Sequence, residues 1–154
     1  MAATNTAALL PLIPRIFFVY LEPPIIIAGM MLQYAATEDL LQVSSPPLKI
    51  PVLVGPGLSS GYLLLIMLYG LIVLLVAPPS KRLAQLHIGI LIAADFVHWG
   101  VLFYTMARAD PRGWAVAFDI NAWDDETRTL VYGPAATFTV KVLTLAGVFG
   151  KIKG

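Results

Sequence analysis

A chain of 154 residues in which 12% are charged and 58% hydrophobic, at a mean hydropathy of +0.81, has too little charge to clothe a water-facing surface. That balance predicts an integral membrane protein with length for one domain, residues 1–154. The absence of cysteine excludes disulfides, thiolate nucleophiles and cysteine–zinc sites, and a net charge of +1 without a Lys/Arg run gives nucleic acid no footing.

The N-terminal stretch "MAATNTAALLPLIPRIFF" has no basic region ahead of its apolar residues, and Pro11, Pro14 and Arg15 interrupt it. It reads as part of a first span that acts as its own insertion signal, not as a cleaved leader. A spanning helix needs roughly twenty predominantly apolar residues, because its backbone must satisfy its own polar groups inside lipid. Four stretches meet that demand: 15–36, 60–77, 82–107 and 129–150. A Pro- and Gly-rich loop separates the first two, with a short interfacial helix expected at Glu38 to Gln42. The turn "PPSKR" joins the second and third. The segment "RADPRGWAVAFDINAWDDETR" joins the third and fourth, and its Trp114 and Trp123 suit headgroup depth. The expected fold is therefore all-α, a polytopic transmembrane four-helix bundle. Lys81 and Arg82 in the compact turn, with Lys151 and Lys153 in the tail, lie at span ends and place both termini in the cytoplasm. The endoplasmic reticulum is the expected membrane.

Four polar residues stand inside these apolar stretches: Glu22, Asp95, His98 and Lys141. A central Asp or Lys costs about 2.5–3.5 kcal/mol on insertion scales, so such residues face the bundle interior and mark a route or a site. Counted from the cytoplasmic side at the helical rise, Glu22, Asp95 and Lys141 lie at roughly 10, 20 and 14 Å, close enough to converge near mid-membrane. Asp95 and His98 are three apart and share a helix face. Trp99 and Phe103 are placed to wall a pocket beside it. Pro23 and Pro24 remove backbone donors directly after Glu22 and predict a kink that opens space next to its carboxyl. His87 returns to nearly the same face but closer to the cytoplasm, where it reads as interfacial.

Structural roles compete with chemical ones at each position. Asp95 with Lys141 makes sense as an ion pair that fixes helix packing, and His98 as a donor to a carbonyl of a neighbouring helix. Glu22 makes sense as a protonated acid at a kink. Asp124 or Asp125 is expected to cap the fourth span, while Arg128 and Tyr132 are candidates to close the lumenal mouth of a cavity. A buried acid, imidazole and ammonium together point instead to acid/base chemistry on a lipid-dissolved substrate, with Glu22, Asp95 and His98 as catalytic candidates. Trp99, Phe103, Asp125, Arg128, Tyr132 and Lys141 are the substrate-binding candidates. The D-x-x-H spacing lacks a third ligand at the same depth, so no metal is expected. No phosphate loop or serine elbow is present, and no cofactor is expected.

The acid in the first span, "DFVHWG" in the third and "WDDE" before the fourth resemble small fungal membrane proteins of terpenoid and polyene biosynthesis. These include membrane-bound terpene cyclases and epoxide hydrolases. More distantly the layout resembles the emopamil-binding (EXPERA) superfamily of sterol isomerases and sigma-2-like receptors. The resemblance implies a helical membrane bundle with an acid/histidine cavity, in which Asp95 and His98 match the pair of the third helix and Glu22 the acid of the first. In the sterol isomerases a glutamate follows the histidine by one turn, whereas here the acid comes first. Epoxide opening by hydrolysis or cyclisation is accordingly the leading expectation. Double-bond isomerisation and non-catalytic sterol or lipid binding are the alternatives. The expected partners are a hydrophobic small molecule and the bilayer, with a homodimer as a further candidate.

Overall fold

The computed structural model describes residues 4–31 and 50–154, and among these the ordered elements are all helical. The expected helix at Glu38 to Gln42 and the end of the first span lie outside the described residues. Four helices carry the architecture: α1 (Leu12–Met31), α2 (Ile50–Val76), α3 (Lys81–Ala109) and α5 (Asp125–Leu145). A one-turn helix α4 (Trp114–Phe118) lies in the α3–α5 connection, and 3₁₀ turns occupy Thr6–Leu9 and Ile120–Ala122.

Helix ends follow from local chemistry. The Ser80 hydroxyl accepts from Leu83 N–H at 3.3 Å and starts α3 one residue after Pro79. Asp124, not Asp125, caps α5, its Oδ1 accepting from Thr127 N–H at 2.7 Å. After α3, the Asp110–Gly113 turn is completed by Gly113 at φ +61°, a backbone conformation that glycine adopts without a Cβ penalty. In α1 the stretch Phe17–Leu21 is wound as a π turn, and Glu22 N–H reaches back to the Phe17 carbonyl. Pro23 and Pro24 cannot donate to the carbonyls four residues before them, so the wider turn lies where ordinary pairing fails. The expected distortion of α1 thus lies on the N-terminal side of the prolines.

By length and composition α1 and α3 can cross a membrane, and the segment Gly61–Val76 of α2 is a shorter apolar helix. Only 17% of the most apolar window of α1 and 33% of that of α3 is buried. A core helix of a water-soluble domain would bury much more of its apolar surface. Tyr20, Leu65, Tyr69, Ile72, Phe96 and Val97 instead point outward. α5 does not reach the same apolarity, since it carries Lys141 and several threonines.

The core joins the N-terminal segment and α1 to α2 and α3 through Leu9, Phe18, Met67, Leu74, Ile88 and Leu91. His87 belongs to this packing. It is buried, edge-on to Phe18, and lies against Gly70 of α2, where an added Cβ would collide with the imidazole. His87 thus marks a close helix crossing at a glycine. One end of the molecule is knitted from three segments. Thr6 is fully buried; its N–H donates to the Ala77 carbonyl at 3.2 Å and its hydroxyl to the Pro78 carbonyl at 2.7 Å. Lys153 N–H donates to the Leu9 carbonyl at 2.9 Å.

Candidate functional site

Lys141 is the hub. Its Nζ donates to both carboxylate oxygens of Asp95, at 2.9 and 2.8 Å, linking α5 to α3. The same Nζ lies 2.9 Å from Glu22 Oε1 of α1 as an ion-pair contact, although that oxygen is off the hydrogen-bonding direction. Side-chain exposure is 1% for Lys141 and Glu22 and 3% for Asp95, so the cluster is shielded from bulk solvent. The three residues estimated to share a depth are in contact. Two carboxyls around one ammonium leave one negative charge over unless a proton is bound, and an uncompensated charge is expensive in a dry interior.

His98 is held one turn along α3 by a consequence of proline chemistry. Pro134 interrupts α5 and has no N–H for the Leu130 carbonyl four residues earlier. His98 Nε2 lies 3.1 Å from that carbonyl. A carbonyl only accepts, so Nε2 carries the proton and a neutral ring leaves Nδ1 as a bare acceptor. Nδ1 is buried and has no hydrogen-bond partner. The carbonyl bond is the structural role considered for His98, and it occupies only one of the two ring nitrogens. Trp99 repeats the pattern, its Nε1–H donating to the Val131 carbonyl at 3.3 Å.

A cavity of about 290 Å³ adjoins this cluster. Asp95, His98, Thr137 and Lys141 give it polar groups. Ile25, Ile26 and Gly29 of α1, Leu63 of α2, and Leu130, Gly133 and Pro134 of α5 give it apolar walls. Ile25, Ile26 and Gly29 follow Glu22 by three, four and seven residues, the spacing of one helix face. Gly133 and Thr137 precede Lys141 by eight and four. That spacing is the signal in the sequence for the walls, which chemical prominence alone does not reveal.

The other candidates lie elsewhere. Glu22 is behind Lys141 and is not part of the cavity lining. Trp99 packs with Phe96 and Phe138 on the α3–α5 seam, ring centroids 6.0 and 5.5 Å away. Phe103 stacks on Trp123 and meets Phe118 towards the α4 end. Trp123, expected at headgroup level, is buried and donates Nε1–H to the Val116 carbonyl at 3.1 Å, whereas Trp114 is exposed. Tyr132 is half-exposed and touches Trp123. Asp125 and Arg128 form a 3.5 Å pair on the surface. The structure therefore brings together Glu22, Asp95, His98 and Lys141, and leaves Trp99, Phe103, Asp125, Arg128 and Tyr132 outside the cavity lining. Among the described residues no group of three or more His, Asp or Glu is gathered as a metal site.

Fold and site define a class: an all-helical protein with lipid-compatible helices and an apolar cavity edged by a buried cluster of two acids, an ammonium and an imidazole. The match to a family model described as Domain of unknown function (DUF7704) extends over residues 7–151, and the chain belongs to that family. No curated protein and no solved structure matches it.

Proposed function

We propose that this protein is a four-span membrane enzyme that opens an epoxide on a terpenoid or polyene substrate, by hydrolysis or by cyclisation. The observation that carries the proposal is the meeting of Asp95, His98 and Lys141 on one cavity, with His98 Nδ1 left without a hydrogen-bond partner. The two-carboxyl, one-ammonium cluster is neutral with one proton bound. Asp95 is the carboxyl on the cavity side, so it delivers that proton to the epoxide oxygen. Lys141 Nζ already lies within 2.9 Å of both its oxygens, and the carboxylate left behind is stabilised without reorganisation. Glu22 keeps the ammonium charged from behind.

In hydrolysis, His98 Nδ1 takes a proton from water as the water oxygen attacks an epoxide carbon. The C–O bond breaks towards the oxygen that Asp95 protonates. The imidazolium then returns its proton to Asp95 three residues away, and the net change is addition of one water. In cyclisation an alkene of the same substrate replaces water as the nucleophile, and His98 takes the proton lost from carbon.

The membrane setting has independent support in the outward-facing apolar residues of α1, α2 and α3. α5 joins them as a span because its deep cation is neutralised inside the bundle. The N-terminal segment, the α2–α3 turn and the C-terminal segment share one end, which favours both termini on one side, and their Lys and Arg favour the cytoplasmic side.

The test is incubation of the purified protein in detergent with epoxidised terpenoids in ¹⁸O-water, with products followed by mass spectrometry. Wild type is expected to give a labelled diol or an unlabelled cyclic alcohol. Asp95→Asn and His98→Gln are expected to bind substrate and lose roughly 10²–10⁴ in turnover. Unchanged turnover in a folded His98→Gln protein would overturn the assignment. Binding without turnover by wild type would favour a lipid-binding role.

A further inference from the structure

The knitted end of the molecule carries a charge pattern that the sequence disperses. Arg15 of α1, Lys81 and Arg82 at the start of α3, and Lys151 and Lys153 of the C-terminal segment belong to elements gathered there. The contacts are direct: Gly150 packs near Pro11, and Gly154 lies beside Lys81. The four lysine and α3 arginine side chains are exposed, and no acid among the described residues accompanies them. The opposite end has Asp110, Asp119, Asp124 and Asp125 against Arg108, Arg112 and Arg128, with several of these paired to one another.

Within the basic end lies a second cavity of about 380 Å³. Thr4, Asn5, Arg15 and Tyr20 supply its polar groups, and Leu12, Ile16 and Leu75 part of its apolar wall. Asp110, Asp119, Asp125, Glu22 and Asp95 pair with other cations, and Arg15 has no ion-pair partner among the described residues. Leu12 and Ile16 continue outward as exposed apolar surface on α1. A guanidinium at the mouth of a pocket, beside an apolar wall and inside a cluster of cations, matches an anion attached to a hydrocarbon tail.

We propose that this pocket seats the phosphate of an anionic phospholipid, with Arg15 as its anchor and the acyl chains lying along Leu12 and Ile16. Arg15 presents paired N–H donors to the phosphodiester oxygens. Lys81, Arg82, Lys151 and Lys153 supply the surrounding field that selects an anionic headgroup over a zwitterionic one. The proposal rests on the reading of this chain as a membrane protein and is independent of the catalytic one. Recovery of the full chain in membranes after an alkaline wash tests the membrane reading separately.

The lipid site is tested by native mass spectrometry of the purified full chain in detergent containing equal phosphatidylglycerol and phosphatidylcholine. Retention of phosphatidylglycerol in preference is expected. Arg15→Gln should lower it by roughly fivefold or more, while Arg15→Lys keeps part of it and an unchanged melting temperature shows that the fold is intact. Lys151→Gln and Lys153→Gln should act more weakly and lose their effect as salt is raised. Equal retention of the two lipids by wild type would overturn the proposal, as would an Arg15→Gln protein that retains phosphatidylglycerol fully. Displacement of the lipid by millimolar glycerol 3-phosphate would mark a site for soluble phosphate esters and overturn the lipid assignment.

Discussion

Two acid–cation pairs at opposite ends of α5 use the same chemical groups in opposite surroundings. Lys141 meets Asp95 at 2.8 Å with both side chains at most 3% exposed. Arg128 lies 3.5 Å from Asp125, whose side chain is 99% exposed. In the first pair neither partner can turn to water if the other is removed, so each depends on its neighbour. In the second, water replaces the partner at little cost. Charge on α5 therefore has consequences according to depth, and the contrast can be broken by mutation at either end.

The largest effect is expected at the buried cluster. Lys141→Met leaves Asp95 and Glu22 facing each other without a cation, and Asp95→Asn removes a charge and one of the two oxygens that accept from Lys141. Lys141→Met should cost about 3–5 kcal/mol, the range for one partner lost from a buried pair, and Asp95→Asn less, because Lys141 keeps Glu22 as a counter-ion. The double variant should be less unstable than the sum of the singles, because losing Lys141 strands two acids when Asp95 is present and only Glu22 when it is not. Thermal or denaturant unfolding in detergent checks this. Additive losses would show that the two residues act independently, and the depth contrast would fail.

A smaller effect is expected at the proline-freed carbonyl. His98→Phe leaves the Leu130 carbonyl unsatisfied, at a cost of about 1–3 kcal/mol. In a Pro134→Ala background, the new Ala N–H can serve that carbonyl from within α5, and the cost of His98→Phe should shrink. A double-mutant cycle measures the difference. An equal cost in both backgrounds would mean that Pro134 has no part in holding His98.

This pairing also marks how far the sequence could be read. Glu22, Asp95 and Lys141 were legible because rise per residue converts position in an apolar helix into depth, and isolated charges at one depth must find each other. Asp95 and His98 were legible as one face by spacing. The partner of His98 was not, since it depends on which carbonyl of another helix lacks a donor and on how α3 and α5 align. Trp99 and Trp123 were assigned by amphipathic character to a pocket wall and to the headgroups. Their indole N–H groups instead bond to the Val131 and Val116 carbonyls. The same ring satisfies either environment, and only packing decides. His87 was read by face and depth alone, and nothing in the spacing showed that Gly70 of α2 makes room for its ring.

On the surface, Asp110 sharpens the contrast from the other side. It accepts from Arg112 N–H at 2.8 Å, Nε at 3.0 Å and Nη2 at 2.9 Å, a good geometry at the surface. The side-chain bonds from Arg112 hold its carboxyl at about 2, below the usual carboxylate range. A depressed folded-state value means that the stabilisation is complete above the unfolded value of about 3.9 and is lost as pH falls towards the folded one. Asp110→Asn should lower the melting temperature slightly at neutral pH, and the gap from wild type should close between about pH 4 and pH 2. A gap that is independent of pH would assign the effect to the turn backbone and not to the charge.

The smallest effect is expected at Arg128 and Asp125. Their contact is long, exposed and of the i,i+3 kind, and the helix start does not need Asp125 because Asp124 accepts from Thr127 N–H. Arg128→Ala and Asp125→Ala should each stay within about 0.5 kcal/mol of wild type, and raising salt should not separate them. Both residues lie outside the cavity lining, so kcat should also hold. A mouth role would appear as a raised KM with unchanged kcat for Arg128→Ala, since weakened substrate capture leaves the chemical step alone. A loss above about 1 kcal/mol would place this pair among the structural charges of α5 and erase the difference in depth from which the comparison starts.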